Sequence, residues 1–369
     1  MSKATLTTLT PVHVGSGQKL SANSEFIYFH KQNQLAIIDE RKIISIIGED
    51  NVDHWVSVID KQGDLLDLVK TRFKGELQPE DIALRTLDYE GDKLKDALNE
   101  QIHTSLKGAY IPGSSIKGAI RTAVFAIKIL NKKNAAKRAL TGRKLTDMFL
   151  TKEIFGENSN DNLFRFIQLG DAHFTGIDTV ALTGKILNLN YDKWRIKSGQ
   201  EELVECIPQG VSTSLSFKID RNLLKKNAHI PNTAVLATPG QLCKIVNTHT
   251  IKLLDDEIIF WEDEIDQCDT PDSIDVYIER LRDLKAQTES AKDNEMIFRM
   301  GFGSGWNFST GAWAKDESLL NEDKYNKFKA KVRKPPRNNS YGDNVPFPKT
   351  RKLVSSDDGL LGFVKLTIN

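Results

Sequence analysis

The sequence predicts an α+β fold. Strand-like and helix-like runs follow one another without βαβ regularity, no segment recurs at a fixed period, and residues 111–130 hold one sustained helical apolar stripe. Residues 3–14, rich in Thr, Leu and Val, read as strand up to Gly15-Ser16-Gly17, and EFIYF at 25–29 and LAII at 35–38 continue that signal. From about 40 to 106 the spacing turns helical, with Val52, Val56 and Ile59, then Leu65, Leu68 and Val69, then Leu94, Ala97 and Leu98; this predicts helices inserted beside the sheet. Pro112-Gly113 breaks the chain, Ser114 offers an N-cap, and Ile116, Ile120, Val124 and Ile127 form the stripe of a helix over 115–130. A basic helical segment follows to about 154. Strands are expected at 164–174, 179–189, 203–219 and 242–251, a helix at 272–292, and a last strand within GLLGFVKLTI.

A chain of 369 residues is long enough for about two domains. Its 39% apolar and 27% charged residues exclude a disordered tail or a disulfide-stapled mini-protein. Cys206, Cys243 and Cys268 lie far apart and form no CxxC pair, so no disulfide framework, zinc knuckle or other cofactor site is expected, and a reducing cytoplasm fits best. The N-terminus lacks a signal-peptide apolar core, and no run is long enough to span a membrane.

Net charge is +1 from 51 basic and 50 acidic residues, so a polyanion-binding surface must come from segregation along the chain. Residues 117–146 carry nine basic side chains and no acidic one, among them Arg143 and Lys144. Lys117, Arg121, Lys128 and Lys132 share one helix face, which suits tracking a phosphate backbone; the alternative is a solvated face. A second basic block, 327–352, interleaves Phe328, Tyr341 and Phe347 with its cations, as stacking on unpaired bases requires, or is a soluble loop. Residues 255–272 hold nine acids and no base.

The run Gly301-Phe302-Gly303-Ser304-Gly305-Trp306, continuing to Gly311 and Trp313, combines close backbone approach with stacking faces, and it matches neither GxGxxG nor the phosphate loop. Gly113-Ser114-Ser115, with Lys117 one turn on, heads a helix whose first N–H groups suit a phosphate, or are simply capped by Ser114. His13, between Val12 and Val14 in a strand, is a candidate general base on a ribose 2′-hydroxyl, though a lone strand histidine is more often structural. Asp39 has the context of a strand end and helix cap rather than a catalytic carboxylate. The acidic run lacks a partner histidine or glycine loop for a metal site.

Taken in order, TLTPVHVGSG, YIPGSSIKGAIRTA, FIQLGDAHF, ECIPQGVSTSLSF, GFGSGW and PKTRKLV…LGFVKL resemble the RAMP proteins of CRISPR systems, and within them the fifth-subunit family of type III-A Csm effector complexes. The resemblance implies two ferredoxin-like, RRM-related units with helical insertions: residues 1–235, with the insertion at about 40–106, and residues 236–369, with glycine loop 301–313 and basic loop 327–352. It implies crRNA as ligand, capped at its 3′ end, and no nuclease of the chain's own. The implied partners are the repeated backbone RAMP subunit, the small helical subunit and a recruited host trimming nuclease, with no membrane. RNA contacts are expected from Gly113, Ser114, Ser115, Lys117, Arg121 and Lys128, from Arg299, Gly301, Phe302, Gly303, Gly305 and Trp306, and from Lys349, Arg351 and Lys352. One departure is that residues 304–310 hold no Lys or Arg, which leaves phosphate neutralisation to Arg299, Lys315 or the basic block. The alternative function is a metal-independent crRNA-processing endoribonuclease using His13.

Overall fold

The computed structural model describes residues 2–61, 63–91, 94–105, 107–141, 148–190, 193–308, 312–315, 319–321, 323–324, 326–327, 346, 348–355 and 359–369. Gly311, Arg143, Lys144 and most of the basic loop 327–352, with Phe328, Tyr341 and Phe347, lie outside them.

A five-stranded antiparallel sheet organises the fold. Across it the strands run Glu295–Arg299, Phe363–Ile368, Ser2–Thr8, Ser212–Ile219, Ile167–Leu169. In chain order, strand 2–8, helix Gly113–Ile129, strands 167–169 and 212–219, helix Pro239–Glu264 and strand 363–368 reproduce the ferredoxin-like arrangement; strand 295–299 is added at the edge. Alternation decides which face is covered. Ala4, Leu6, Leu215, Phe217, Leu366 and Ile368 point inward onto Ile116, Ile120 and Val124 of the first helix and Leu242 and Val246 of the second. The expected boundary at 235/236 runs through this sheet, because strands from both sides of it pair with Ser2–Thr8.

The second sheet is mixed and has nine strands, ordered Gly15–Ser21, Ala97–Gln101, Glu202–Cys206, Val180–Asn190, Ala83–Glu90, Gln34–Ile38, Phe26–Phe29, with Lys193–Ile196 and Thr350–Val354 pairing along the far half of Val180–Asn190. Three short helices, Glu40–Ile47, Val52–Asp60 and Leu65–Arg72, bury Ile43, Ile47, Trp55, Leu65 and Val69 against Ile27 and Ala36 of this sheet. Asp39 caps the first by accepting the Arg41 N–H at 2.9 Å, as its context predicts. Opposite, helix Pro271–Glu289 packs antiparallel on Pro239–Glu264 through Trp261, Tyr277 and Leu281, with ion pairs Asp255–Lys285 and Glu262–Arg282 on the rim.

Several expectations are overturned: the first strand ends at Thr8, so His13 lies in the linker after it and not in a strand, and Ala83–Glu90 is a strand within the stretch expected to be helical. The helical series Leu94, Ala97, Leu98 is instead strand Ala97–Gln101, held between Gly15–Ser21 and Glu202–Cys206. The strand expected at 242–251 is the first half of helix Pro239–Glu264: its β-branched Thr248 and Thr250 bond to the carbonyls of Lys244 and Ile297, and packing outweighs propensity. Among the described residues no helix is long and apolar enough to cross a membrane.

Candidate nucleic-acid interface

The helix expected to begin after a Ser114 cap begins two residues earlier, at Gly113, with Pro112 at the N-cap and no side-chain cap of its own. Asp171 supplies the missing acceptor from a distant segment, taking the Gly113 N–H at 2.8 Å. A Cβ at Gly113 would stand 2.6 Å from the Leu169 carbonyl oxygen, which is why glycine sits there. The positive end of the helix is therefore answered by a carboxylate of the same chain. That arrangement disfavours a phosphate at Gly113, Ser114 and Ser115.

The basic face behind it is also largely engaged. Lys117 Nζ donates to the Ile167 carbonyl at 2.8 Å, and burial holds its pKa below the ordinary value. The Arg121 guanidinium lies 4.4 Å from the centroid of Phe155, and Lys132 pairs with Glu153 at 3.8 Å. Helix Met148–Phe155 and the 163–169 segment fold over the face that the sequence assigned to RNA. Lys128 stays half-buried on it, Lys132 at its end is exposed, and further exposed cations follow at Lys133, Lys137 and Arg138 of helix Lys133–Thr141.

Gly301, Gly303 and Gly305 all have positive φ, at 74°, 81° and 67°. The loop is seated on the linker joining the two sheets: the Phe302 N–H donates to the His13 carbonyl at 2.9 Å, and Ser304 Oγ donates to the Gly301 carbonyl at 2.8 Å. The Phe302 ring meets His13 edge-on at 5.5 Å, with Lys352 Nζ 3.8 Å from its centroid. Lys352 also pairs with Glu202 at 3.0 Å. Trp306 is half-buried against the main core, and Trp313 meets Phe125 at 5.8 Å, joining the far end of the loop to the first long helix.

Arg299 and Arg351 are structural. Arg299 Nε donates to the Leu361 carbonyl at 2.8 Å, and its guanidinium packs over Phe308 and Phe363. Arg351 is buried in a two-point pair with Glu257 beneath Phe260. Burial alone would raise the Glu257 pKa, but Arg351 holds it below the ordinary carboxylate value. Lys315, named as a phosphate neutraliser, is pushed down to about 8, chiefly by burial and then by Arg351. Both arginines are buried and engaged within the fold, and the half-buried Lys349 precedes the strand.

His13 is only 4% exposed. Its Nδ1 donates to the Glu205 carbonyl at 2.6 Å, and burial lowers its pKa, so it is a neutral hydrogen-bonding group within the fold rather than a base facing a ribose. Sequence reasoning missed the centre of this region. The Glu205 carboxylate, fully buried, accepts from Arg85 through two nitrogens at 3.0 Å, from His103 at 2.9 Å, from Thr179 at 2.6 Å and from the Gln101 N–H at 3.2 Å. Among the described residues no cluster of His, Cys, Asp or Glu could hold a metal ion.

Residues 5–312 match the model of the RAMP superfamily. The chain is a RAMP protein. A curated relative from Methanocaldococcus jannaschii, named CRISPR system Cms protein Csm5, is 23% identical over 98% of this RAMP chain and 87% of that protein. Two solved structures share its fold. One is a chain of a Csm–crRNA–target RNA ternary complex of a type III-A CRISPR-Cas system, with TM-score 0.72, 18% identity and full coverage of both chains. The other is T. onnurineus Csm5, with TM-score 0.66, 17% identity and coverage of 98% and 99%.

Proposed function

We propose that this RAMP protein is a non-catalytic crRNA-binding subunit of a type III-A Csm complex that caps the 3′ end of the guide and supports crRNA maturation and antiviral defence. The observation that carries the reading is the likeness to Csm5, by sequence over 98% of the chain, together with the same fold end to end in a chain of a Csm–crRNA–target RNA complex. The site supports it. Glycine at 305 leaves backbone at the surface beside the half-buried Trp306, and Lys352 lies against the Phe302 ring of the loop. Lys133, Lys137 and Arg138 add exposed cations on helix Lys133–Thr141. The burial of His13, the group on which an endoribonuclease reading depends, supports the non-catalytic reading.

The partners that follow are crRNA, the repeated backbone subunit and the small helical subunit, with a trimming nuclease recruited from the host. Purification of the tagged protein from its native host tests the proposal. Recovery of CRISPR-derived RNA with the other Csm subunits is expected. Recovery of the protein alone, cleaving added repeat RNA in the presence of chelator, overturns it.

A further inference from the structure

The five-stranded sheet has a second face that is covered at one end, where Phe363 is buried against Phe308, and that the described residues leave open and polar along strands 2–8 and 212–219 and over Lys365–Thr367. Outward from strand 2–8 point Lys3, Thr5 and Thr7; from strand 212–219, Ser212, Ser214, Ser216 and Lys218. Register sets them in rows. Thr5 lies opposite both Ser214 and Thr367, and Thr7 opposite both Ser212 and Lys365. Lys3 and the four residues of strand 212–219 are exposed, and the threonines and Lys365 are half-exposed. The two ion pairs at the margin, Lys218–Asp220 at 3.6 Å and Lys365–Glu295 at 3.9 Å, are long, and both lysines are partly exposed, so both ammonium groups can exchange partners.

A protein-binding face needs apolar or aromatic anchors at its centre, and Lys and Ser are depleted there. The central positions of this face are hydroxyls, with lysines around them. Hydroxyls and ammonium groups are the side chains that hold phosphate and ribose oxygens. With no aromatic ring in the rows, bases have nothing to stack on, so recognition is confined to the sugar–phosphate backbone and is indifferent to sequence. We propose that this open sheet face is a second track for single-stranded RNA, separate from the glycine loop, with Lys3, Lys218 and Lys365 on phosphates and Thr5, Ser214 and Ser216 on ribose or phosphate oxygens. The inference rests on the reading above that the protein handles RNA.

The test measures binding of a fluorescein-labelled oligouridylate to the full-length protein across a salt series. A Lys3→Glu/Lys218→Glu/Lys365→Glu variant is compared with a Lys61→Glu/Lys70→Glu/Lys74→Glu control, which changes net charge equally on the exposed helical insertion. With three phosphates no longer neutralised, the log–log salt slope of the sheet variant becomes shallower by about 2, while the control keeps the wild-type slope. A Ser214→Glu variant, placing one carboxylate in the middle row, weakens binding without touching a lysine. Equal effects of sheet and control variants, or a sheet variant that binds as the wild type does, overturn the proposal. So does loss of a protein subunit from the purified assembly with its RNA retained, which would make the face a protein interface. Wild-type protein that binds no oligouridylate and carries no RNA from its host removes the underlying reading instead.

Discussion

The His13 carbonyl accepts the Phe302 N–H at 2.9 Å and lies 2.4 Å from where a Cβ on Gly301 would stand. The glycine loop is therefore clamped to the linker between the two sheets. His13 is itself held through Nδ1 by the Glu205 carbonyl, so the seat of the loop continues into the buried Glu205 network. Gly301 is therefore required by packing as well as by backbone conformation, and Gly305 by backbone conformation alone.

Gly301→Ala combines a positive φ with a clash against main chain, whereas Gly305→Ala has the same φ problem with nothing within 4 Å of the new methyl. The conformational cost is about 1–2 kcal/mol at either site. Only the first variant adds the displacement of the His13 linker, so it should melt well below the second in thermal denaturation. Equal melting temperatures would show that the loop is not seated on His13.

Arg351→Met leaves the buried Glu257 carboxylate without its guanidinium, and removing one partner of a buried pair costs about 3–5 kcal/mol. Lys349→Met, two residues earlier in the sequence and half-buried without a buried pair, should stay within about 0.5 kcal/mol of wild type. Urea unfolding separates the two, and any RNA-binding loss in Arg351→Met should track loss of folded protein. A stable Arg351→Met variant with selectively impaired RNA binding would return this arginine to the interface.

These cases show what the sequence makes legible. The helix at 113–129 is readable because Ile116, Ile120 and Val124 are local and periodic, and their burial follows from that period. The alternation STSLSFKI at 212–219 carries the polar outer face openly. Arg299 and Arg351 resemble RNA ligands in sequence because their burial depends on Leu361 and Glu257, partners 62 and 94 residues away. The same distance hides Asp171 as the acceptor of the helix head and Glu205 as a hub. Strand Ala97–Gln101 is missed because three apolar residues at helical spacing also fit a short strand with only Leu98 and Gln101 buried.

The cations left exposed on helix Lys133–Thr141 predict a graded electrostatic effect. Reversing Lys133, Lys137 and Arg138 to Glu should lower single-stranded RNA affinity and flatten its salt slope, by about 0.7 for each phosphate that is no longer neutralised. Reversing Lys117 should instead destabilise the fold, because its ammonium is bonded to the Ile167 carbonyl. Fluorescence anisotropy over a salt series, read beside melting curves, checks both. An unchanged slope in the helix variant would exclude that surface from binding RNA.

Glu205 predicts the acid limit of the fold. Burial by itself would raise its pKa, but the His103 hydrogen bond and the Arg85 charge and hydrogen bonds bring it down from 4.5 to about 2. A carboxyl depressed on folding contributes stability that is complete above about pH 4.5 and is lost as pH falls toward 2. The contribution is on the order of 3 kcal/mol. Glu76, Glu201, Asp220 and Glu257 are depressed as well, so acid unfolding of the wild type sums several groups. A Glu205→Gln variant isolates this one: at neutral pH it is less stable, because Arg85 loses its two-point partner, and its deficit against wild type narrows below pH 4.5 as the wild-type carboxylate protonates. Unfolding free energies measured at pH 7 and across the acid range check this directly. A deficit that stays constant down to pH 3 would mean that Glu205 is not the ionised hub holding Arg85, His103 and Thr179 together.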